Sequence, residues 1–457
     1  MKKHLLIALA CGAFQFSYAQ QKDSAEIRRI ANEILSNSNA YEDLRVLTKT
    51  VGARLAGSAG MVKAEKWGVA ALKAAGADSV YLQECMVPHW IRGAKEQARI
   101  ISKRRDFVPP LNIAALGNSV GTGAKGVTAA VIEVKSFEEL EKRKDEVKGK
   151  IVFYNYPFID THVKTFHSYG DAVKYRGSGA SRAAKYGAVA VVVRSMSHSA
   201  DNHPHTGSVN YAEDAPKIPA VAIGLKDADR FSQRIGNDPS MQLYLRTNCQ
   251  KLPDTIGHNV IGYIRGSEFP DEYITVGGHL DSWDLAEGAH DDGAGCVQSI
   301  EILRAYKALG IRPKRTLRVV LFANEENGAR GAAKYADEAK AKNEKHVFAL
   351  ESDAGGFTPR GFMLEMEPAK RAKVLSWKPL LLPYGLYDFD EEGGGVDVGF
   401  LHRALGTPMG ELSPDSQRYF DVHHAASDVF EAVNKRELEL GAVGMAALLY
   451  LVDQYGL

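Results

Sequence analysis

Three short runs of aliphatic and β-branched residues, at positions 273–277, 317–322 and 347–350, each lead straight into side chains that bind metal or move protons. His279 and Asp281 follow the first run, Glu325 and Glu326 the second, and Asp353 the third. The pair Asp291 and Asp292 stands between the first two, ahead of a glycine-rich turn, and His423, His424 and Asp428 come far downstream. Runs so short and so apolar read as strands buried on both faces, the pattern of a parallel sheet. Parallel strands end at one edge, so groups spread from residue 279 to residue 428 would meet in one crevice. Isolated His and Asp residues are common, but five ligand-type groups on successive strand ends are not.

Such a set suits two divalent ions. Zinc takes His nitrogen and carboxylate oxygen, and two ions about 3.5–4 Å apart need a bridging carboxylate plus separate ligands for each. Asp291 is the natural bridge, because Gly293 and Gly295 leave room for backbone near the metals. His279 and Asp353 would complete one ion, and Glu326 with His424 the other. Asp281, two residues beyond His279 on an extended chain, is placed to orient that imidazole. Adjacent glutamates at a strand end point in different directions, which leaves Glu326 as ligand and Glu325 as general base for hydrolysis of an amide. His423 competes with His424, and residue type alone does not choose between them.

These motifs, with residues 278–284 (Gly-His-Leu-Asp-Ser-Trp-Asp) and 312–318 (Arg-Pro-Lys-Arg-Thr-Leu-Arg), resemble the co-catalytic di-zinc exopeptidase family from Ser24 to the C-terminus. The resemblance implies two zinc ions on His279, Asp291, Glu326, Asp353 and His424, with Glu325 as base and a non-proline cis peptide after Asp291. It favours His424 over His423, since Asp428 follows four residues later, and leaves His423 as a substrate or oxyanion donor or a surface residue. It also implies a cleft lined by the region of Asp397, dipeptide substrates with free ends, and a homodimer. A general aminopeptidase is the alternative. A metal-free binding protein and a glutaminyl cyclase are further readings, opposed by the complete ligand set and by an insertion in the chain.

That insertion is visible as a change of texture. Residues 117–126 are a glycine-rich linker by composition, after which strand-like segments near 127–134, 150–154, 189–193 and 218–223 alternate with helical ones, including a capping box from Ser136 to Glu139. No candidate ligand lies there, and the segment resembles a protease-associated domain. The expected layout is an export signal at 1–19, a first catalytic part at 20–117, the protease-associated insert at 118–249 and a second catalytic part at 250–457. The expected fold is an α/β three-layer sandwich with a mixed, largely parallel central sheet of zinc-exopeptidase type. Histidines at 198, 203 and 205 have metal-like spacing, but they sit in a polar Pro- and Gly-containing loop.

The first residues carry Lys2 and Lys3, then an apolar stretch, then Ser17-Tyr18-Ala19, the order of a signal peptide too short to anchor in a membrane. Secretion or periplasmic release follows, with lipidation at Cys11 as the alternative. Cys85, Cys249 and Cys296 allow one disulfide at most. A net charge of +1 gives no surface for nucleic acid, and 45% hydrophobic residues over 457 positions provide a large core. Lys103-Arg104-Arg105 and the charged run 138–150 read as solvated faces. Helices are expected where Ile27, Ile30, Ala31 and Ile34 recur, capped by Asp23 or Ser24, and from Glu437 to Tyr455, packed on the sheet or on a second copy.

Overall fold

The computed structural model of the chain describes residues 21–103 and 108–457. The export segment with Cys11 and Ala19, and Arg104 and Arg105 of the basic patch, lie outside those residues. The first long strand, β1 (Ser79–Ile91), is followed by β2 (Gln97–Ile101), β3 (Ile113–Ala115), β4 (Val127–Val134), β5 (Ile151–Tyr154), β6 (Ala190–Arg194), β7 (Ala220–Ile223) and β8 (Gln242–Arg246). The second half carries β9 (Gln250–Ile264), β10 (Phe269–His279), β11 (Arg315–Phe322), β12 (Lys345–Glu351), β13 (Pro359–Glu365) and β14 (Met409–Pro414).

One sheet has the order β1-β9-β11-β10-β12-β14-β13. Its four central strands, β11, β10, β12 and β14, run parallel. The flanking pairings, β1 with β9, β9 with β11 and β13 with β14, are antiparallel, so the largely parallel sheet read from sequence describes the centre and not the margins. Successive side chains of a strand face opposite sides. Val319 and Leu321 accordingly enter the core beneath the helices 21–37, Ala59–Ala74, Ala294–Ala308 and Lys435–Tyr455, while Val320 and Phe322 enter the smaller core beneath Arg330–Ala341 and Val396–Leu405. The result is the three-layer sandwich. The last helix belongs to the core and not to a contact between copies, since Val443, Met445, Leu448 and Leu451 are wholly buried against this sheet. Each such side chain contributes roughly 1.5–3 kcal/mol by leaving water. The first helix is already under way at residue 21, so Asp23 lies inside it and accepts hydrogen bonds from the Tyr450 and Tyr455 hydroxyls instead of capping.

The second sheet, β2-β8-β4-β5-β6-β7-β3, forms the insert. It takes in β2 and β3, which lie within the stretch assigned by sequence to the first catalytic part; pairing with β8 and β7 decides their membership, and neither partner is near them in the chain. The expected linker also differs. Gly117 donates to the Gly207 carbonyl at 2.9 Å and pairs with Ser208, and Leu116 and Ser119 are buried, so the start of the segment is packed while residues 123–125 are exposed.

Candidate active site

β10, β11 and β12 are neighbours in the parallel centre, so His279, Glu325, Glu326 and Asp353 emerge at one edge. Asp291 arrives on the turn that opens the helix Ala294–Ala308, and the peptide bond between Asp291 and Asp292 is cis. The turn can lie this close because the positions are small: a Cβ on Gly295 would come within 1.8 Å of the Ser352 carbonyl. The Asp292 carboxylate then accepts from the Gly295 N–H at 2.8 Å and the His279 N–H at 3.1 Å, tying turn to strand.

Asp291 presents one oxygen to each side of the crevice. Its Oδ1 is 3.1 Å from His279 Nε2, which is 3.2 Å from Asp353 Oδ1. Its Oδ2 is 3.2 Å from His424 Nε2, which is 3.1 Å from Glu326 Oε2. Two donors each about 2.0–2.1 Å from one zinc at a tetrahedral angle stand about 3.3 Å apart, so each cluster has the spacing of a shared ion. Asp291 Oδ2 and Glu326 Oε1 are buried without any hydrogen-bond partner. A buried carboxylate oxygen in that state is costly unless a cation meets it.

The electrostatics describe the same unmet demand. Burial works to lower the His279 imidazole, but Asp353 and Asp291 hold it well above its ordinary range. Burial likewise opposes His424, and Glu326 and Asp291 carry it to about 10. Burial, with the Asp291 charge, pushes Glu326 to about 7. Burial and the Asp353 charge raise Glu351 to about 7 and Glu411 well above the carboxylate range, and burial with Glu351 does the same to Asp397. Carboxyls outnumber the histidines here, which favours divalent cations over a site neutralised by protons alone.

The supporting contacts refine the expected roles. His279 Nδ1 meets the backbone carbonyl of Asp281 at 2.9 Å, whereas the Asp281 carboxylate is 3.8 Å away and accepts the Glu325 N–H at 3.0 Å. Asp281 thus orients the imidazole through its main chain and the glutamate loop through its side chain. Glu325 is only partly buried, in contrast to Glu326. His423 stacks on His424 at 3.6 Å with Nε2 3.9 Å from Asp291 Oδ2, so both rings reach the site and His424 is nearer. Asp397 is 1% exposed at the start of Val396–Leu405, beside Glu351, which accepts the Asp397 and Val398 N–H groups.

Further residues hold the site together. Arg54, wholly buried, donates to the carbonyls of Leu280, Glu287 and Gly288 and binds the His279 and Asp291 loops together. Asp428 accepts the His290 and Asp291 N–H groups at 2.7 and 3.2 Å. From the insert, the Thr206 carbonyl lies 3.3 Å from His424 Nδ1, and Arg176 reaches the same nitrogen at 3.2 Å. The loop holding His198, His203 and His205 therefore meets the site through Thr206, while none of those three histidines belongs to a group spaced for metal among the described residues. Cys296 is a buried thiol on the His279 carbonyl, and Cys85 and Cys249 are also free.

Residues 259–449 match Peptidase family M28 and residues 117–231 match the PA domain. Carboxypeptidase Q of Homo sapiens is 37% identical over 417 residues, covering 91% of this chain and 86% of that protein. The chain belongs to peptidase family M28. Carboxypeptidase Q of Xenopus laevis is 36% identical over 463 residues, 98% of this chain and 95% of its own length. The M28 peptidase precursor from Shewanella amazonensis superposes with a TM-score of 0.90 at 33% identity, over 95% of this chain and 97% of that one. A zinc aminopeptidase from Bacillus subtilis shares the fold, with a TM-score of 0.64 at 19% identity over 90% and 93% of the two chains. This M28 peptidase is a zinc metallopeptidase with a mixed α/β fold and a PA domain, and no helix among its described residues is long and apolar enough to cross a membrane.

Proposed function

We propose that this M28 peptidase is an exported exopeptidase that uses two zinc ions to hydrolyse the peptide bond of dipeptides or short peptides, and that it works as a homodimer. The observation that carries the reading is the Asp291 carboxylate, one oxygen turned to His279 and Asp353 and the other to His424 and Glu326. Those five residues would hold the two ions, which supply Lewis acidity for the carbonyl and an acidified water. Glu325 accepts the proton of the attacking water as its oxygen adds to the carbonyl carbon. The same carboxyl then delivers that proton to the nitrogen as the C–N bond breaks, and no acyl-enzyme forms. Asp281 keeps Glu325 at its post by holding its N–H. His423, which stacks on His424, donates to the substrate oxygen, and Asp397 is a substrate contact in the cleft.

Export is supported by the signal-like order of residues 1–19, and lipidation at Cys11 is its alternative. The deciding experiment measures metal per purified chain together with hydrolysis of a free dipeptide, its N-acetyl form and its C-amide. Two zincs with cleavage of the free dipeptide alone support the dipeptidase reading. Tolerance of the amide makes the enzyme an aminopeptidase, tolerance of the acetyl group a carboxypeptidase, and hydrolysis with one zinc overturns the paired site. Light scattering of the same sample checks the dimer.

A further inference from the structure

Two short stretches of the insert, residues 117–119 and 206–208, lie side by side against the crevice. Gly117 donates to the Gly207 carbonyl and accepts from the Val209 N–H, both at 2.9 Å. The pair is anchored behind by the Thr206 hydroxyl, which donates to the Ala115 carbonyl at 2.9 Å. In front, it bonds to the loops of one ligand cluster. The Ser208 hydroxyl donates to the Glu326 carbonyl at 2.7 Å. The Asn118 amide donates to the carbonyl of Asn327, the next residue, at 3.4 Å, and the Asn327 amide returns a bond to the Asn118 side-chain oxygen at 3.3 Å. The Thr206 N–H donates to the His424 carbonyl at 2.9 Å, and the Thr206 carbonyl lies 3.3 Å from His424 Nδ1. Among the described residues, the hydrogen bonds of His279 and Asp353 come from the catalytic half and none from the insert.

We propose that these stretches are a strap by which the insert holds one of the two ions, that of Glu326 and His424, and not the other, with Ser208, Asn118 and Thr206 as positioning residues. The inference rests on the two-zinc reading and adds that the ions differ in their dependence on the insert. His424 turns Nε2 toward Asp291 and Glu326, so an imidazole that gives Nε2 to an ion keeps its proton on Nδ1, where the Thr206 carbonyl accepts it. Arg176, over which Gly207 leaves no room for a Cβ, donates to the same carbonyl at 3.4 Å and fixes its direction. His424 also has a φ of 59°, a conformation that residues with a Cβ seldom adopt, and the bond from Thr206 to its carbonyl holds it there. Glu326 is fixed from both sides of its loop: Asp281 takes the N–H of Glu325, and Ser208 takes the carbonyl of Glu326 itself. Loss of the Ser208 hydroxyl leaves that buried carbonyl without its partner and frees the carboxylate to swing.

The test titrates the purified, metal-stripped full-length chain with zinc against a chromophoric chelator, which reads each dissociation constant. Ser208→Ala weakens one zinc by about tenfold or more and leaves the other within about threefold of wild type. Ser208→Thr, which keeps the hydroxyl, leaves both within about threefold. Asn118→Gly, which keeps the backbone at its φ of 63° and removes the amide, weakens the same zinc as Ser208→Ala. In Glu326→Ala, which retains the other cluster, adding Ser208→Ala shifts the remaining zinc by less than about threefold. Excess zinc returns dipeptide hydrolysis by Ser208→Ala to within about threefold of wild type, which a damaged fold would not allow. Two unchanged constants in Ser208→Ala, equal weakening of both, or the same weakening when Glu326 is already absent overturns the proposal. A wild type that binds a single zinc overturns the paired site instead. The strap then stands if Ser208→Ala weakens that zinc by about tenfold, and falls if it does not.

Discussion

Replacing Glu325 by Gln removes one proton acceptor and very little else. Glu325 belongs to none of the residue groups spaced for a metal ion, its N–H bond to Asp281 comes from the main chain, and its side chain is partly open to solvent. The amide has the shape of the carboxylate but cannot take a proton from water at neutral pH. General-base catalysis is worth about 10²–10⁴ in rate, and in the proposed mechanism this carboxyl acts twice, first on water and then on the leaving amine, so a loss of about 10³ or more is expected. That is roughly 4 kcal/mol in the barrier. The assay is steady-state hydrolysis of a free dipeptide from pH 5 to 9, with zinc per chain measured on the same preparation. The wild-type rate should climb on the acid side as the base loses its proton, and the variant should be slow and flat there with full zinc. Turnover within about tenfold of wild type would refute the assignment of the base. A slow variant that had also lost zinc would refute the separation of base from ligand.

Glu326→Ala should instead empty metal, because Glu326 Oε2 lies 3.1 Å from His424 Nε2 and its Oε1 has no other partner; zinc per chain should drop by one, as read by atomic absorption. Gly117→Ala should disturb a site that Gly117 never touches. Its Cβ would fall 1.8 Å from the Trp283 ring, whose edge packs on His424 at 5.8 Å, so a stability loss of about 1–3 kcal/mol in urea titration and a fall in turnover are expected. Glu344 gives a pH test away from the metals: burial acts to raise it, but hydrogen bonds from His346 and Arg318 hold it at about 2 in place of 4.5. A folded-state value below the unfolded one means the contribution is complete above about pH 4.5 and is lost as pH falls toward 2. Wild type should therefore lose roughly 3 kcal/mol more than Glu344→Gln between pH 5 and 2, metal loss being common to both, and parallel stability curves would contradict this.

Much of the catalytic half was legible in the chain because its signals are local. An apolar run such as Leu317 to Phe322 has no stable place except between two helical layers, and a ligand directly after it must appear at the sheet edge. The roles of Asp291, His279 and Glu326 could be proposed before any fold was seen for that reason. The insert was less legible at its margins. Nothing local in Gln97–Ile101 says that it pairs with Gln242–Arg246, and a glycine-rich stretch looks the same whether it is a solvated linker or, as at Gly117, a place where an aromatic ring leaves no room for a Cβ.

The order and kind of the ligand groups were set by sequence alone, since residue type fixes which atoms can bind a cation and strand periodicity fixes the edge where they emerge. Tertiary structure decided which groups share an oxygen of Asp291, that His424 lies nearer to it than His423, that Asp281 steadies His279 through its carbonyl, and that Thr206 and Arg176 of the insert reach His424. Those are contacts between segments far apart in the chain. Their distances are settled by how two sheets and their helices pack, which no local pattern encodes.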